Sequence, residues 1–91
     1  MKVVDVRALP DYNISVVFAN GVTGSVNLKK LTQSGIFQVL QDESLFQRVY
    51  TNGESIAWSE DLEIDGDQVY ADIIDIDPTK LFTKSFHYAT D

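Results

Sequence analysis

Cysteine is absent from the 91 residues, and histidine, tryptophan and methionine each occur once. Without thiols the chain forms no disulfide, offers a metal no thiolate and has no thiol nucleophile. This composition suits a reducing compartment, so we expect a cytoplasmic protein. The apolar residues never form a run of about 18, the length that a membrane-spanning helix requires, so we expect no membrane contact.

Basic residues are scarce. Seven lysines and arginines stand against fourteen aspartates and glutamates, which gives a formal net charge of −7. A surface of this sign repels phosphate backbones, so we expect no direct binding to nucleic acid. The same charge attracts basic proteins, and we predict a protein partner that is small and basic. The alternative interpretation is that the charge only keeps a small protein soluble.

Signatures of catalysis are also missing. His87 is the only histidine, and nothing in the sequence places it beside a serine and a carboxylate, as a catalytic triad requires. The glycines are spread along the chain as turn formers rather than grouped in a phosphate-binding loop. We therefore predict no catalytic residue, no bound cofactor and no enzymatic activity.

Strand patterns dominate the first part of the chain. Residues 3–9 are rich in β-branched side chains and roughly alternate, which predicts a strand, and Pro10-Asp11 follows as a turn. Residues 12–18 predict a second strand, with large apolar side chains, Phe18 among them, at every other position. A third strand is expected after Asn20-Gly21.

The register of this hairpin depends on the length of its turn. A two-residue turn would set Phe18 opposite Thr23, whereas a three-residue turn over 19–21 sets Phe18 opposite Val22 and brings Ile14 opposite Val26. Apolar side chains then face apolar ones, and Gly21 takes a left-handed conformation. We predict the three-residue turn, with Phe18 and Gly21 as structural residues.

Short helical patterns follow over 28–35, 36–40 and 42–49, and they are too short to be stable unless they pack on a sheet. Residues 49–51 and 55–58 flank Asn52-Gly53, which predicts a hairpin with a two-residue turn and Val49 opposite Ile56. We interpret Trp58 as a core residue, because a lone tryptophan in a short strand usually anchors the core.

The C-terminal third is less regular. Residues 59–67 are polar and acidic and predict a loop. Residues 67–74 have apolar side chains at helical spacing, which favours a helix over the alternative of a strand. The whole pattern predicts an α+β fold in two layers, with antiparallel hairpins or a β-meander and short helices packed on one face.

We predict one domain over residues 1–74. Residues 75–91 are expected to form a C-terminal tail or arm, docked on the domain or on a partner subunit. This segment contains Phe82, Phe86 and Tyr88, and apolar tails rarely stay free in water. The tail, or an exposed sheet edge, could therefore hold a homodimer together.

Acidic residues concentrate after residue 59, and clustered carboxylates bind hard cations such as Ca²⁺. A calcium loop has acids at alternate positions, glycine at the sixth position and glutamate at the twelfth. Counted from Asp61 the sixth residue is Gly66, but the twelfth is an aspartate and no flanking pair of helices is evident. We predict no bound metal from this partial match, whose acids are Asp61, Glu63, Asp65 and Asp72.

The same stretch has two other interpretations. It is either an ordinary solvated surface or a docking surface for a basic partner. The candidate partner-binding residues are Glu60, Asp61, Glu63 and Asp67.

Several stretches resemble a known family. Residues 12–21 (YNISVVFANG) and 24–28 (GSVNL) resemble the opening of the bacterial domain-of-unknown-function 2442 family. Residues 40–46 and 55–58 (SIAW) are similar to its middle, and residues 61–70 to its ending, so the resemblance covers about residues 2–74. It implies a small α+β domain with no assigned activity. It also implies that some relatives stand beside small partner proteins in toxin–antitoxin-like gene pairs, while others carry a helix-turn-helix DNA-binding domain.

Two functional hypotheses follow. The first is a non-enzymatic protein-interaction or regulatory module, such as one member of a toxin–antitoxin-type pair. The second is a sensory or small-ligand-binding domain, like those that precede a DNA-binding domain in longer relatives. The second hypothesis predicts an apolar pocket between the sheet and the helices.

Overall fold

A computed structural model describes residues 1–76, which form two three-stranded antiparallel sheets joined and flanked by short helices. The N-terminal sheet has the order β1-β2-β3 and the C-terminal sheet the order β4-β5-β6. The predicted α+β fold built from antiparallel hairpins is confirmed. The strands are β1 (Val3–Leu9), β2 (Asn13–Phe18), β3 (Thr23–Asn27), β4 (Tyr50–Thr51), β5 (Ser55–Ser59) and β6 (Leu62–Asp65). The α-helices are α1 (Glu43–Phe46) and α2 (Gly66–Ile76), and 3₁₀ helices cover Pro10–Tyr12, Leu31–Gln33 and Gly35–Gln41.

The predicted register of the first long hairpin is confirmed. The Phe18 amide donates to the Val22 carbonyl at 2.9 Å, and Ile14 lies opposite Val26. Gly21 has a φ of +90°, the left-handed conformation that the three-residue turn requires. The alternation of apolar residues therefore decided the register, because a shift by one residue would have placed polar side chains in the core.

The central helices follow the predicted pattern. Leu40 is fully buried and Phe37 half-buried on the 3₁₀ helix Gly35–Gln41, while Ile36 and Val39 on the same helix are exposed. Phe46 on α1 is buried. Helices of one or two turns are too short to be stable alone, so their buried side chains stabilise them by packing on the rest of the fold.

The predicted two-residue turn between β4 and β5 is wrong. Thr51, not Val49, lies opposite Ile56, so four residues separate the paired positions. Two side chains fix this wider turn. The Asn52 carboxamide oxygen accepts hydrogen bonds from the Glu54 and Ser55 amides, and the Thr51 hydroxyl donates to the Ser55 carbonyl. Such side-chain-to-backbone bonds compete with the pairing expected from strand alternation alone.

This wider turn joins the two sheets at a contact that we call the sheet junction (Val3, Gly53, Glu54 and Gly66). The Val3 amide donates to the Gly53 carbonyl at 2.9 Å, and the Gly66 amide donates to the Glu54 carbonyl at 3.0 Å. A Cβ on Gly66 would lie 2.4 Å from that Glu54 oxygen, so only glycine allows this approach. The start of β1 and the start of α2 are thus held against one turn.

The predicted loop over residues 59–67 is also wrong, because Leu62–Asp65 is strand β6. Leu62 is buried and Ile64 half-buried, whereas Glu63 and Asp65 between them are exposed. This is the alternation of a strand with one face on the core. The acids on its outer face masked the two apolar residues in the sequence.

Helix α2 confirms the helical interpretation of residues 67–74. Val69 and Ile73 are buried, while Tyr70 and Ile74 are partly buried against the core. Gly24 of β3 makes room for this packing, since a Cβ there would lie 2.7 Å from the Ile73 side chain. Within residues 1–76, no helix has the length and apolar character needed to cross a membrane.

Trp58 lies in the core that both sheets and the helices share. Its side chain is 5% exposed, and its indole N–H donates to the Phe46 carbonyl at 3.0 Å. The Phe46 ring lies 5.9 Å from the Trp58 ring and 5.2 Å from that of Tyr12, the latter pair edge to face. Phe18 is 1% exposed. One aromatic cluster therefore links β5, α1 and the 3₁₀ helix that follows β1.

Helix α2 extends to Ile76 and so includes the first two residues of the predicted C-terminal tail. The rest of that tail, residues 77–91, lies outside the described residues. The predictions about His87, Phe82, Phe86 and Tyr88 concern this part of the chain.

Replacing Trp58 with alanine should lower the free energy of unfolding by about 3–5 kcal/mol, because it leaves a cavity and removes the donor to the buried Phe46 carbonyl. Tyr50→Ala is the control, since Tyr50 is an aromatic residue on the neighbouring strand that is 42% exposed. We expect it to cost about 1 kcal/mol or less. Urea unfolding, monitored by far-ultraviolet circular dichroism, measures both free energies of unfolding. Equal losses in the two variants would contradict the core assignment.

Candidate protein-interaction site

Three of the predicted partner-binding acids lie on one hairpin. Glu60 and Asp61 occupy the turn between β5 and β6, and Glu63 lies on the exposed face of β6. All three side chains are exposed. We call these residues the acidic hairpin. Asp67 lies apart from them, in the first turn of α2 beyond the other end of β6.

The remaining acids of this stretch take part in local structure. Asp65 caps α2, because its carboxylate accepts from the Asp67 amide at 2.9 Å. The carboxylate of Asp67 accepts from the N-terminal amino group of Met1. Asp72 accepts from the Gln68 carboxamide at 3.0 Å. Part of the acidic composition therefore holds the helix start and the N-terminus in place.

The partial calcium pattern does not fold as a calcium loop. Glu63 and Asp65 lie on a strand, Gly66 begins α2, and Asp72 lies well inside that helix. Among residues 1–76, no three aspartate, glutamate, histidine or cysteine side chains form a group that could hold a metal ion. The acids that a twelve-residue calcium loop would bring to one ion are spread here along a strand and a helix.

A second surface, whose residues the sequence did not indicate, lies at the end of β1. It is a cleft of about 640 Å³ between β1 with its following 3₁₀ turn on one side and α1 with Val49 on the other. We call it the β1 groove. Its apolar lining includes Val6, Ala8, Leu9, Tyr12, Phe46 and Val49.

Part of the β1 backbone is unpaired along this groove. β1 is an outer strand of its sheet, and the Phe18 amide of β2 points away from it, towards β3. Because backbone groups alternate along a strand, this register pairs Arg7 with Ser15 on β2 and turns the N–H and C=O groups of Val6 and Ala8 to the outer edge. Within residues 1–76, no backbone hydrogen bond joins Val6 or Ala8 to another element at that edge.

The end of the groove has an unusual backbone. Asp11 and Tyr12 both have positive φ values, 63° and 64°, a conformation that non-glycine residues rarely adopt. Asparagine side chains stabilise it: Asn13 donates to the Pro10 carbonyl and Asn27 donates to the Asp11 carbonyl. The sequence signalled a turn here through Pro10-Asp11 but did not indicate this backbone conformation.

Charged groups flank the apolar lining. Asp11 and Glu43 carry the exposed negative charges, and Arg7 pairs with Asp5 at 2.9 Å. The wall formed by α1 begins at Asp42, whose carboxylate accepts from the hydroxyl and the amide of Ser44 at 2.7 and 3.0 Å. The bond from the hydroxyl, followed by that from the amide, lowers the pKa of Asp42 below its ordinary value of 3.8.

Comparison with known proteins places the chain in a family. A sequence model of the family described as "Protein of unknown function (DUF2442)" matches residues 3–75. The chain belongs to this family. Searches of curated proteins and of solved structures each return no significant match.

The DUF2442 match covers both sheets and all but the last residue of α2, so the acidic hairpin and the β1 groove lie inside the matched region. The expected resemblance, with its small α+β domain, is therefore confirmed. The family description names no activity, and the two surfaces themselves are the basis for any functional proposal.

Removing the carboxylate that caps α1 should lower stability in a pH-dependent way. The folded-state pKa of Asp42 is depressed, so its contribution is present above about pH 3.8 and is lost as pH falls through the lower folded value. We expect Asp42→Ala to lower the urea midpoint at pH 7, and this difference from the parent protein to shrink at pH 3. Asp42→Asn retains a capping oxygen and should stay closer to the parent at pH 7. A constant deficit at both pH values would contradict a role for the charge.

Proposed function

We propose that this DUF2442 chain is a non-enzymatic protein-interaction or regulatory module of the bacterial cytoplasm, and that its partner is a small basic protein, as in a toxin–antitoxin-type pair. The observation that carries the proposal is the acidic hairpin. Glu60, Asp61 and Glu63 are exposed together, and no lysine or arginine occurs from residue 49 to residue 76.

Electrostatics support this surface as a docking site. The formal net charge of −7 attracts a basic protein over the whole surface, and the hairpin adds a local group of negative charges without a nearby basic residue in the sequence. Exposed charges of this kind mainly accelerate association and select the sign of the partner's charge. Binding by this route weakens as salt is added, because exposed charges are screened.

The pKa of Asp42 is shifted away from the range that a general acid needs. Residues 1–76 contain no histidine and no cysteine. A general acid needs a carboxyl pKa raised towards neutrality, whereas the hydrogen bonds to Asp42 lower its pKa. The local bonds of Asp65 and Asp72 are those of a helix cap and a helix surface.

One observation favours the second hypothesis, a small-ligand-binding domain. The β1 groove has a volume of about 640 Å³, which lies within the usual range of about 300–1,000 Å³ for small-molecule sites. It also lies between the sheet and a helix, where that hypothesis places a pocket. The groove is open to solvent, however, and its lining also includes the polar residues Arg7, Asp11, Glu43 and Gln47.

Charge reversal on the hairpin tests the leading proposal. The double variant Glu60→Lys/Glu63→Lys and the control Asp72→Lys/Asp75→Lys, on the exposed face of α2, change the net charge equally at exposed positions. Tagged proteins are used for affinity capture from native lysate at low salt, with quantification by mass spectrometry. We expect one small basic protein to bind the parent and the control, and at least about tenfold less of it to bind the hairpin variant.

Equal capture by both variants, or no captured protein at all, would contradict the proposal. A thermal-shift screen against metabolites then tests the small-ligand-binding function. A stabilising metabolite whose effect disappears when Leu9, which lines the groove, is replaced by aspartate would favour the small-ligand function.

A further inference from the structure

Tyr50 and Glu63 lie on the outer face of the C-terminal sheet, on the two strands that flank β5. Tyr50 of β4 pairs with Ala57, and Ala57 pairs with Glu63 of β6, so the three residues form one row across the sheet. Side chains directly opposite each other on neighbouring strands share a face. Ile56 and Trp58, on either side of Ala57, are buried in the core, so the row faces away from the core. We call these three residues the Tyr50–Glu63 row.

Both ends of the row are available to a ligand. The Tyr50 side chain is 42% exposed, and Glu63 is exposed as well. Within residues 1–76, the Tyr50 ring stacks on no other aromatic ring and the Glu63 carboxylate forms no ion pair. Ala57 between them contributes only a methyl group. An aromatic ring and a carboxylate therefore stand on one face with nothing bulky between them.

The spacing across the row suits one cationic group. Neighbouring strands lie about 4.8 Å apart, so the β4 and β6 backbones are about 10 Å apart at this row. A cation interacts with an aromatic ring from as far as about 6 Å from the ring centre. It pairs with a carboxylate over about 4 Å. A cation above Ala57 can therefore contact the Tyr50 ring and the Glu63 carboxylate at the same time.

The charges around the row favour a positive ligand, and the Tyr50 ring favours one kind. Glu60 and Asp61 lie in the turn that connects β5 to β6, and no lysine or arginine occurs from residue 49 to residue 76. Arginine suits the row better than lysine, because its planar guanidinium stacks on aromatic rings and forms two parallel hydrogen bonds with a carboxylate. Tyrosine and arginine are also enriched among the residues that dominate the binding energy of protein interfaces.

We propose that the Tyr50–Glu63 row binds an arginine side chain of the basic partner, with the guanidinium stacked on the Tyr50 ring and hydrogen-bonded to the Glu63 carboxylate. This inference rests on the proposed function, to which it adds the residue type that anchors the partner. The carboxylates of the acidic hairpin attract any basic chain, whereas Tyr50 selects arginine over lysine.

Two capped pentapeptides test this selectivity on the full chain. Both have glycine at the odd positions, and one has arginine and the other lysine at the even positions. NMR titration at low salt, followed through the Ala57 amide, gives the two dissociation constants. We expect the parent protein to bind the arginine peptide about 2–5-fold more tightly, which corresponds to about 0.5–1 kcal/mol for an exposed cation–π contact. The δ-methylene protons of the arginines should shift upfield, because they lie over the Tyr50 ring.

Substitutions at the two ends of the row separate the ring from the charge. Tyr50→Leu should lose most of the preference for arginine and the upfield shift, whereas Tyr50→Phe keeps an aromatic face and should retain both. Glu63→Gln should weaken binding of the arginine peptide more than the matched control Asp75→Asn, which removes one exposed charge from α2. The control should weaken both peptides equally and leave their affinity ratio unchanged.

Three results would overturn the inference: no binding of either peptide, equal binding of both peptides by the parent protein, or a preference for arginine that Tyr50→Leu leaves unchanged. None of them affects capture of a basic protein by the acidic hairpin, because attraction by charge requires no preference between arginine and lysine. In the opposite case, a preference for arginine that depends on Tyr50 would support the arginine site even if no basic protein were captured from lysate.

Discussion

One backbone hydrogen bond at the sheet junction, from the Val3 amide to the Gly53 carbonyl, joins the two sheets, and a second, from the Gly66 amide to the Glu54 carbonyl, holds the start of α2 on the same turn. Each sheet has three strands within residues 1–76, and the apolar face of a sheet must be buried against another layer. The junction lets them share one core, in which the Phe46 ring contacts the rings of both Trp58 and Tyr12. The lack of a Cβ at Gly66 is the steric condition for this contact.

The same constraint creates the two candidate surfaces. The sheets are joined at the start of β1, and the β1 groove opens towards its end, beside α1 and Val49. The acidic hairpin lies on the C-terminal sheet, on the outward side of β6. The two surfaces therefore come from different elements of the fold.

Sequence patterns predicted the elements whose apolar residues alternate or repeat cleanly. The Phe18–Val22 register and helix α2 followed from that spacing alone. The β4–β5 turn did not, because the Asn52 and Thr51 side chains determine it through hydrogen bonds that periodicity does not encode. The sequence did not predict strand β6, because acidic residues alternate with its two apolar ones. The acidic residues of the candidate site could be predicted from the sequence. The β1 groove could not, because it depends on which elements pack beside β1 and on which β1 backbone groups lack a partner strand.

Native-state hydrogen exchange at the sheet junction tests most directly whether the two sheets form one cooperative unit. If they do, the Val3 amide, which bonds across the junction, will have the same opening free energy as the Val16 amide in the middle of β2, equal to that of global unfolding. Exchange of Val3 through a smaller opening, while Val16 stays protected, would contradict this account. It would show that the C-terminal sheet and α2 separate from the N-terminal sheet as an independent unit.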